Sequence, residues 1–235
     1  VLGVTTQTIR RDIRQLEDER LLARYHGGVG LPSSVENIDY DQRQVLHIDA
    51  KRRIAEVVAR HVEPGRSLII NIGTTTEEVA KELQQHTSLR IITNNLNVAA
   101  ILRSNTSFEI IIAGGVVRQR DGGITGEATI DFIRQFKVDF GIIGISSIDA
   151  EGTLLDFDYH EVRVAQAIIE NSRQVFLCAD HSKFDRCAMV RLGSLSQVDA
   201  LFTDQLPPPH IKAILAESNV TLHTPKQSVP KSKAS

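Results

Sequence analysis

Apolar positions along the chain fall into two periods. Short β-branched runs recur at 67–72, 89–93, 108–113, 140–145, 175–179, 200–202 and 220–222, each of a length that suits a buried strand. Between them lie stretches with helical spacing at 75–85, 97–102, 128–135, 160–171 and 209–217. A further helical period runs from Tyr40 to His61 through Ile48, Ile54, Val57 and Val58, and Glu63-Pro64-Gly65 ends it. Alternation of this kind predicts an α/β domain with a mainly parallel sheet covered on both faces.

The first thirty residues follow another pattern. Val4-Thr5-Thr6 reads as a helix start, with Thr5 as N-cap and Val4 placed to pack on Ile9. At 100° per residue Ile9, Ile13 and Leu16 share one arc, while Gln7, Arg10, Arg11 and Arg14 share the opposite one. Ala23-Arg24-Tyr25-His26-Gly27-Gly28-Val29 then reads as a strand entering a glycine turn. These divisions predict a helix-and-hairpin module over 1–31, a linker over 32–39, an α/β domain over 40–224 and a disordered tail over 225–235.

Composition narrows the class. Of 235 residues 41% are hydrophobic and 24% charged, enough for a substantial core. No apolar run reaches the roughly 18 residues of a membrane span, and the N-terminus lacks the order of a secretory signal, so a cytoplasmic protein without membrane association is expected. Two Cys and the absence of clustered His and Cys predict neither a disulfide framework nor a metal site, and no cofactor is called for. The net charge of −2 gives no global basic field, which leaves nucleic-acid binding to a local face.

Ligands of an open parallel sheet bind beyond the carboxyl ends of its strands. Asn71-Ile72-Gly73-Thr74-Thr75-Thr76 follows the first run, Thr93-Asn94-Asn95 the second, Gly114-Gly115 the third, and Asp180-His181-Ser182-Lys183 the fifth. Gly73 with Thr74, Thr75 and Thr76 at a helix start suits a phosphate, because backbone N–H groups and hydroxyls converge there; an ordinary N-cap is the plainer explanation. Lys183 supplies a compact positive charge or is a solvated loop lysine. Asp156, Asp158 and Glu161 either cap a helix or recognise hydroxyls. Gln7, Arg10, Arg11 and Arg14, with Arg24 and His26 on the turn, form either a solvated face or a recognition helix with a wing beside it.

Thr8-Ile9-Arg10-Arg11-Asp12-Ile13 with Leu16-Glu17, followed by His26-Gly27-Gly28, resembles the winged helix-turn-helix signature of the DeoR family of bacterial sugar-metabolism repressors. Gly73-Thr74-Thr75, Thr93-Asn94, Gly114-Gly115 and Asp180-His181-Ser182-Lys183-Phe184 are similar to that family's effector domain. The resemblance implies a fold akin to ribose-phosphate isomerases and CoA transferases. It also implies a non-enzymatic repressor that binds double-stranded operator DNA as a homo-oligomer and is released by a phosphorylated polyol. The stretches from Asp139 to Ser146 and from Leu155 to Glu161 resemble members concerned with glycerol, which makes glycerol 3-phosphate the implied effector.

On this basis Gln7, Thr8 and Arg10 are expected to read bases, Arg11, Arg14 and Arg24 to hold DNA phosphates, and His26 to serve as a wing contact. Gly73, Thr74, Thr75, Thr76, Asn94, Gly114, Gly115, Asp156, Glu161, Asp180 and Lys183 are expected around the effector, with no catalytic residue. Val1 stands at the turn before the recognition helix, which predicts a truncated winged module, and Asp185 stands where the family usually has Gly. A sugar-phosphate isomerase is the alternative, since a lysine beside carboxylates can transfer protons. An isolated sugar-phosphate sensor domain is the other.

Overall fold

A computed structural model of the chain describes residues 5–18, 22–25, 28–30 and 37–225. Helix α1 (Thr6–Asp18) opens on the predicted cap, the Thr5 hydroxyl accepting the Thr8 N–H at 3.2 Å. Ile13 and Leu16 are half-buried, whereas Gln7, Arg10, Arg11 and Arg14 are exposed. Ile9, assigned to the packing face, is 38% exposed. Strands β1 (Ala23–Tyr25) and β2 (Gly28–Gly30) pair antiparallel with Tyr25 opposite Gly28, so the chain reverses between them. Val4, Arg20, His26 and the 226–235 part of the predicted tail lie outside the described residues, as do the side chains of Glu17 and Arg24.

The period from Tyr40 to His61 predicts one helix, but the chain forms two, α2 (Tyr40–Val45) and α3 (Ile48–Ala59). Leu46 is extended and His47 adopts a left-handed φ of 53°, which interrupts the helix. The break frees the Arg43 carbonyl, and the buried Lys51 reaches back to donate to it. A hydrophobic period cannot reveal a break whose compensation comes from a polar side chain.

Beyond α3 the elements alternate. They are β3 (Ser67–Ile70), α4 (Thr74–Leu83), β4 (Arg90–Thr93), α5 (Leu96–Leu102), β5 (Glu109–Ile112), β6 (Val116–Val117), β7 (Ile124–Thr125), α6 (Glu127–Ile133), β8 (Val138–Gly144), β9 (Ser147–Ile148), β10 (Thr153–Asp156), α7 (Tyr159–Glu170), β11 (Ser172–Cys178), β12 (Val190–Ser194), β13 (Ala200–Phe202), α8 (Pro209–Glu217) and β14 (Thr221–His223). The seven predicted strands are those of the central sheet, ordered β14-β13-β11-β8-β3-β4-β5 and parallel throughout.

Alternation along each strand fills two cores. Leu68, Ile70, Ile142 and Phe202 face Ile54, Val58, Val79 and Leu83 of α3 and α4. Ile69, Ile143, Leu177 and Leu201 face Ile133, Val164, Ile168 and Ile211 on the other side. Full burial of each such side chain contributes about 1.5–3 kcal/mol, so the sheet position of every strand is strongly specified. The antiparallel sheet β12-β10-β9 and the hairpin β6-β7 were not anticipated, since their strands have only two to five residues. Among the described residues no helix is long and apolar enough to cross a membrane.

Candidate anion-binding cleft at the switch point of the sheet

From β3 the chain proceeds outward to β4 and β5, then returns to β8 on the other side of β3 and proceeds outward to β11, β13 and β14. The reversal lies between β3 and β8, where the loops beyond the two strands diverge and leave a crevice. A cleft opens at that point. It is lined by Asn71, Gly73, Thr74 and Thr75 after β3, Gly144 and Ser146 after β8, Asp156 and Glu161 around the start of α7, and Lys183 and Arg43.

The β3–α4 turn depends on Gly73, whose φ of 149° lies in the region that disfavours side chains. Thr76 holds that turn from within, its hydroxyl 2.8 Å from the carbonyls of both Asn71 and Gly73. It is fully buried and does not line the cleft, so its expected place beside the effector is corrected to a role in closing the loop. Thr74 and Thr75 do line the cleft, and among the described residues their hydroxyls make no hydrogen bond. The unpaired N–H groups of the first turn of α4 open on the same space.

Lys183 lies on a short 3-10 turn, His181–Lys183, capped by the Asp180 carboxylate, which accepts the Ser182 N–H at 2.9 Å. Burial holds the Lys183 ammonium below the ordinary lysine value, with the Asp180 carboxylate opposing that shift. Among the described residues the ammonium forms neither a hydrogen bond nor an ion pair within 4.0 Å. Asp180 itself is buried behind the turn and does not line the cleft, a second correction. Asp204 braces the turn, accepting the His181 N–H at 2.8 Å and lying 2.9 Å from its Nδ1.

The carboxylates divide by task. Asp158 caps α7, accepting the N–H groups of His160 and Glu161 at 2.8 and 3.2 Å. Asp156 faces the cleft, its Oδ1 accepting from Ser146 Oγ at 3.1 Å and Phe157 N at 2.6 Å; burial nevertheless raises its pKa. Burial pushes Glu161 up to about 7, the nearby Asp156 adds to that shift, and the ion pair with Arg118 opposes it.

Asn94, Gly114 and Gly115 are not brought to the cleft. Asn94 is buried and donates to the Ile124 carbonyl at 3.1 Å. Gly114 and Gly115 follow β5 at the far edge of the sheet, where a Cβ on Gly115 would lie 2.1 Å from the Thr129 hydroxyl oxygen. These residues join loops to neighbouring elements, because only strands at the reversal point open onto a shared crevice. Asn71, Ser146 and Arg43 line the cleft although sequence reasoning gave them no role. Asn71 and Ser146 adjoin strand ends and were accessible to that logic. Arg43 carried no signal, since a cation on an amphipathic helix looks like any surface charge.

Two family models match the chain. The DeoR-like helix-turn-helix domain matches residues 1–35 and the DeoR C-terminal sensor domain matches residues 46–205. A glycerol-3-phosphate regulon repressor of Escherichia coli is 54% identical over 220 residues, 94% of this chain and 87% of that protein. Its namesake from Haemophilus influenzae is 57% identical over 206 residues, 88% of this chain and 80% of that protein. Among solved structures, eIF2B beta from Chaetomium thermophilum shares the fold at a TM-score of 0.52 and 17% identity, over 73% of this chain and 54% of that one. Both relatives are repressors rather than enzymes. With both of its domains matched, this chain belongs to the DeoR family of transcription regulators.

Proposed function

We propose that the chain is a repressor of glycerol metabolism that acts in the cytoplasm, binding operator DNA and releasing it when glycerol 3-phosphate fills the cleft between β3 and β8. The observation that carries this reading is the half-buried Lys183 ammonium. It forms no hydrogen bond or ion pair within 4.0 Å among the described residues and lines the same cleft as the free hydroxyls of Thr74 and Thr75. A cation partly withdrawn from water and open to a cleft is stabilised by an anion that enters the same space. Gly73, Thr74, Thr75, the first N–H groups of α4 and Lys183 hold the phosphate, and Asp156 and Glu161 accept from the polyol hydroxyls.

At the other end, Gln7 and Arg10 project from the exposed face of α1 to bases, with Thr8, whose hydroxyl lies 3.0 Å from that of Thr5, beside them. Arg11, Arg14 and Arg24 hold DNA phosphates, and His26 contacts DNA from the wing. Paired half-sites in an operator call for a symmetric oligomer. Release requires the effector to bind the conformation of low DNA affinity more tightly than the DNA-bound one.

The test is operator binding by fluorescence anisotropy with increasing glycerol 3-phosphate. Lys183→Ala keeps operator affinity and raises the effector concentration for half-release by at least about tenfold, in line with loss of a charged hydrogen bond. Arg11→Ala or Arg14→Ala weakens binding to all sequences and lowers the log–log salt slope by about one. Half-release of the Lys183→Ala protein at the wild-type effector concentration overturns the assignment of that residue.

A further inference from the structure

The matched families leave residues 36–45 uncovered, between the helix-turn-helix domain at 1–35 and the sensor domain at 46–205. This connecting segment reaches the cleft. Helix α2 within it has no buried residue, so apolar packing does not fix it to the sensor domain. Polar contacts do so instead. The Tyr40 hydroxyl donates to Glu77 Oε2 at 2.8 Å and accepts from Asn97 Nδ2 at 2.8 Å.

Arg43 extends from α2 into the cleft, its side chain only 18% exposed and its buried Nε without a hydrogen-bond partner. Its ion pair, with Asp121 at 3.8 Å, is loose, and Asp121 is already held at both oxygens by Arg118, at 3.2 and 2.6 Å. Nor is Arg43 needed to satisfy the acids of the cleft. Glu161 pairs with Arg118, and Asp156 accepts from Ser146 and the Phe157 N–H. Two cations from separate parts of the chain, Arg43 and Lys183, therefore line one cleft, among the described residues the first loosely paired and the second without an ion pair. Asn71, 6% exposed, adds a buried Oδ1 without a partner to the same wall.

We propose that Arg43 is an effector-binding residue that contacts the phosphate opposite Lys183, so that the ligand binds directly to the segment joining the sensor domain to the DNA-binding domain. This rests on the reading of the cleft as a phosphate site and adds the route by which occupancy is felt. A guanidinium fork bonded to two phosphate oxygens gives α2 an anchor beyond the contacts of Tyr40. Filling the cleft thereby changes how the DNA-binding domain is tethered, with no rearrangement of the sheet required.

The experiment is calorimetric titration of glycerol 3-phosphate into the full chain, joined to amide hydrogen exchange over residues 40–47. The wild type binds, and exchange over α2 slows on binding. Arg43→Gln weakens binding at least tenfold and abolishes that slowing even at saturating ligand, while the ligand-free melting temperature stays near wild type. Arg43→Lys, which keeps a cation on the same helix, recovers part of the affinity. Unchanged affinity in Arg43→Gln overturns the proposal, as does a lysine variant no better than the glutamine one, which assigns Arg43 to structure alone. Absence of binding by the wild type instead defeats the reading of the cleft itself.

Discussion

The Asn37 side-chain amide donates to the Ser146 hydroxyl across 3.3 Å, joining the segment before α2 to the loop after β8. The Ser146 hydroxyl in turn donates a hydrogen bond to Asp156 Oδ1 at 3.1 Å, so one hydrogen-bond chain runs from the connecting segment to a carboxylate of the cleft. Asn37 also accepts from Arg186 Nη2 at 3.3 Å. Asn37→Ala removes the first link and leaves Ser146 bonded to Asp156. The neutral bond contributes about 0.5–1.5 kcal/mol and the bond from the charged Arg186 is lost with it, so the melting temperature falls. Amide exchange over residues 37–45 accelerates more than elsewhere, because no buried residue of α2 compensates. Uniform exchange in the variant and the wild type would show that the chain does not secure this segment.

Adjacent threonines of one turn carry different loads. Thr76→Val keeps shape but leaves the Asn71 carbonyl without its hydroxyl donor, at a cost of about 1–3 kcal/mol for a buried acceptor, while the Gly73 carbonyl keeps the Glu77 N–H. Thr75→Val removes a hydroxyl that bonds nothing among the described residues, so stability is retained within about 0.5 kcal/mol. Its effect falls on glycerol 3-phosphate affinity, which drops severalfold. Denaturant unfolding and calorimetric titration of the two proteins separate the roles. Equal loss of stability in both would remove Thr75 from the ligand.

The contrast shows what the sequence could and could not convey. All seven strands of the central sheet were legible, since each is a short β-branched run whose alternation divides it between two buried faces. The β3–α4 turn was legible for the same reason, as Gly73 stands between a strand pattern and a helix pattern. The side-chain directions within it were not. Thr74, Thr75 and Thr76 are chemically alike, and only the angular position on α4 decides that the third points inward. Asn94 and Gly115 misled because every strand of a parallel sheet ends on the same rim, whereas only β3 and β8 meet at the reversal of strand order. Arg43 was hidden because a helix period encodes burial of apolar groups and says nothing about a cation reaching into a polar cleft.

Asp185 tests a substitution within this family pattern. Its φ of 55° lies in the left-handed region, which favours glycine and which aspartate tolerates better than most other side chains. The carboxylate lies 3.1 Å from His210 Nε2, and the backbone N–H donates to the Ile148 carbonyl at 2.7 Å. Asp185→Gly relieves the backbone and loses the contact with His210, leaving stability within about 1 kcal/mol of wild type. Asp185→Val loses the contact and keeps the strain, with a β-branched side chain that tolerates this region poorly, and destabilises by about 1–2 kcal/mol. Thermal unfolding of both variants checks the order, and a valine protein as stable as the glycine one contradicts the conformation.

Glu161 gives the cleft a dependence on pH. Burial and the neighbouring Asp156 raise its pKa from 4.5 to about 7, so the folded protein binds this proton more tightly than the unfolded chain does. The resulting stability is fully present below pH 4.5 and is lost as pH rises through about 7. Glu161→Gln cannot ionise and also relieves Asp156 of a neighbouring negative charge, which acts in the same direction, while groups titrating alike in both proteins cancel in the difference. The melting temperature of the variant relative to wild type therefore rises between pH 4.5 and 7 and levels off above. On the proposed function, glycerol 3-phosphate brings a further negative charge into the cleft, which disfavours the Glu161 carboxylate and moves the window to higher pH. Scanning calorimetry at several pH values, with and without the ligand, reads both effects. A difference that is independent of pH would place the Glu161 carboxyl in a solvated setting, and a window unmoved by ligand would place the phosphate elsewhere.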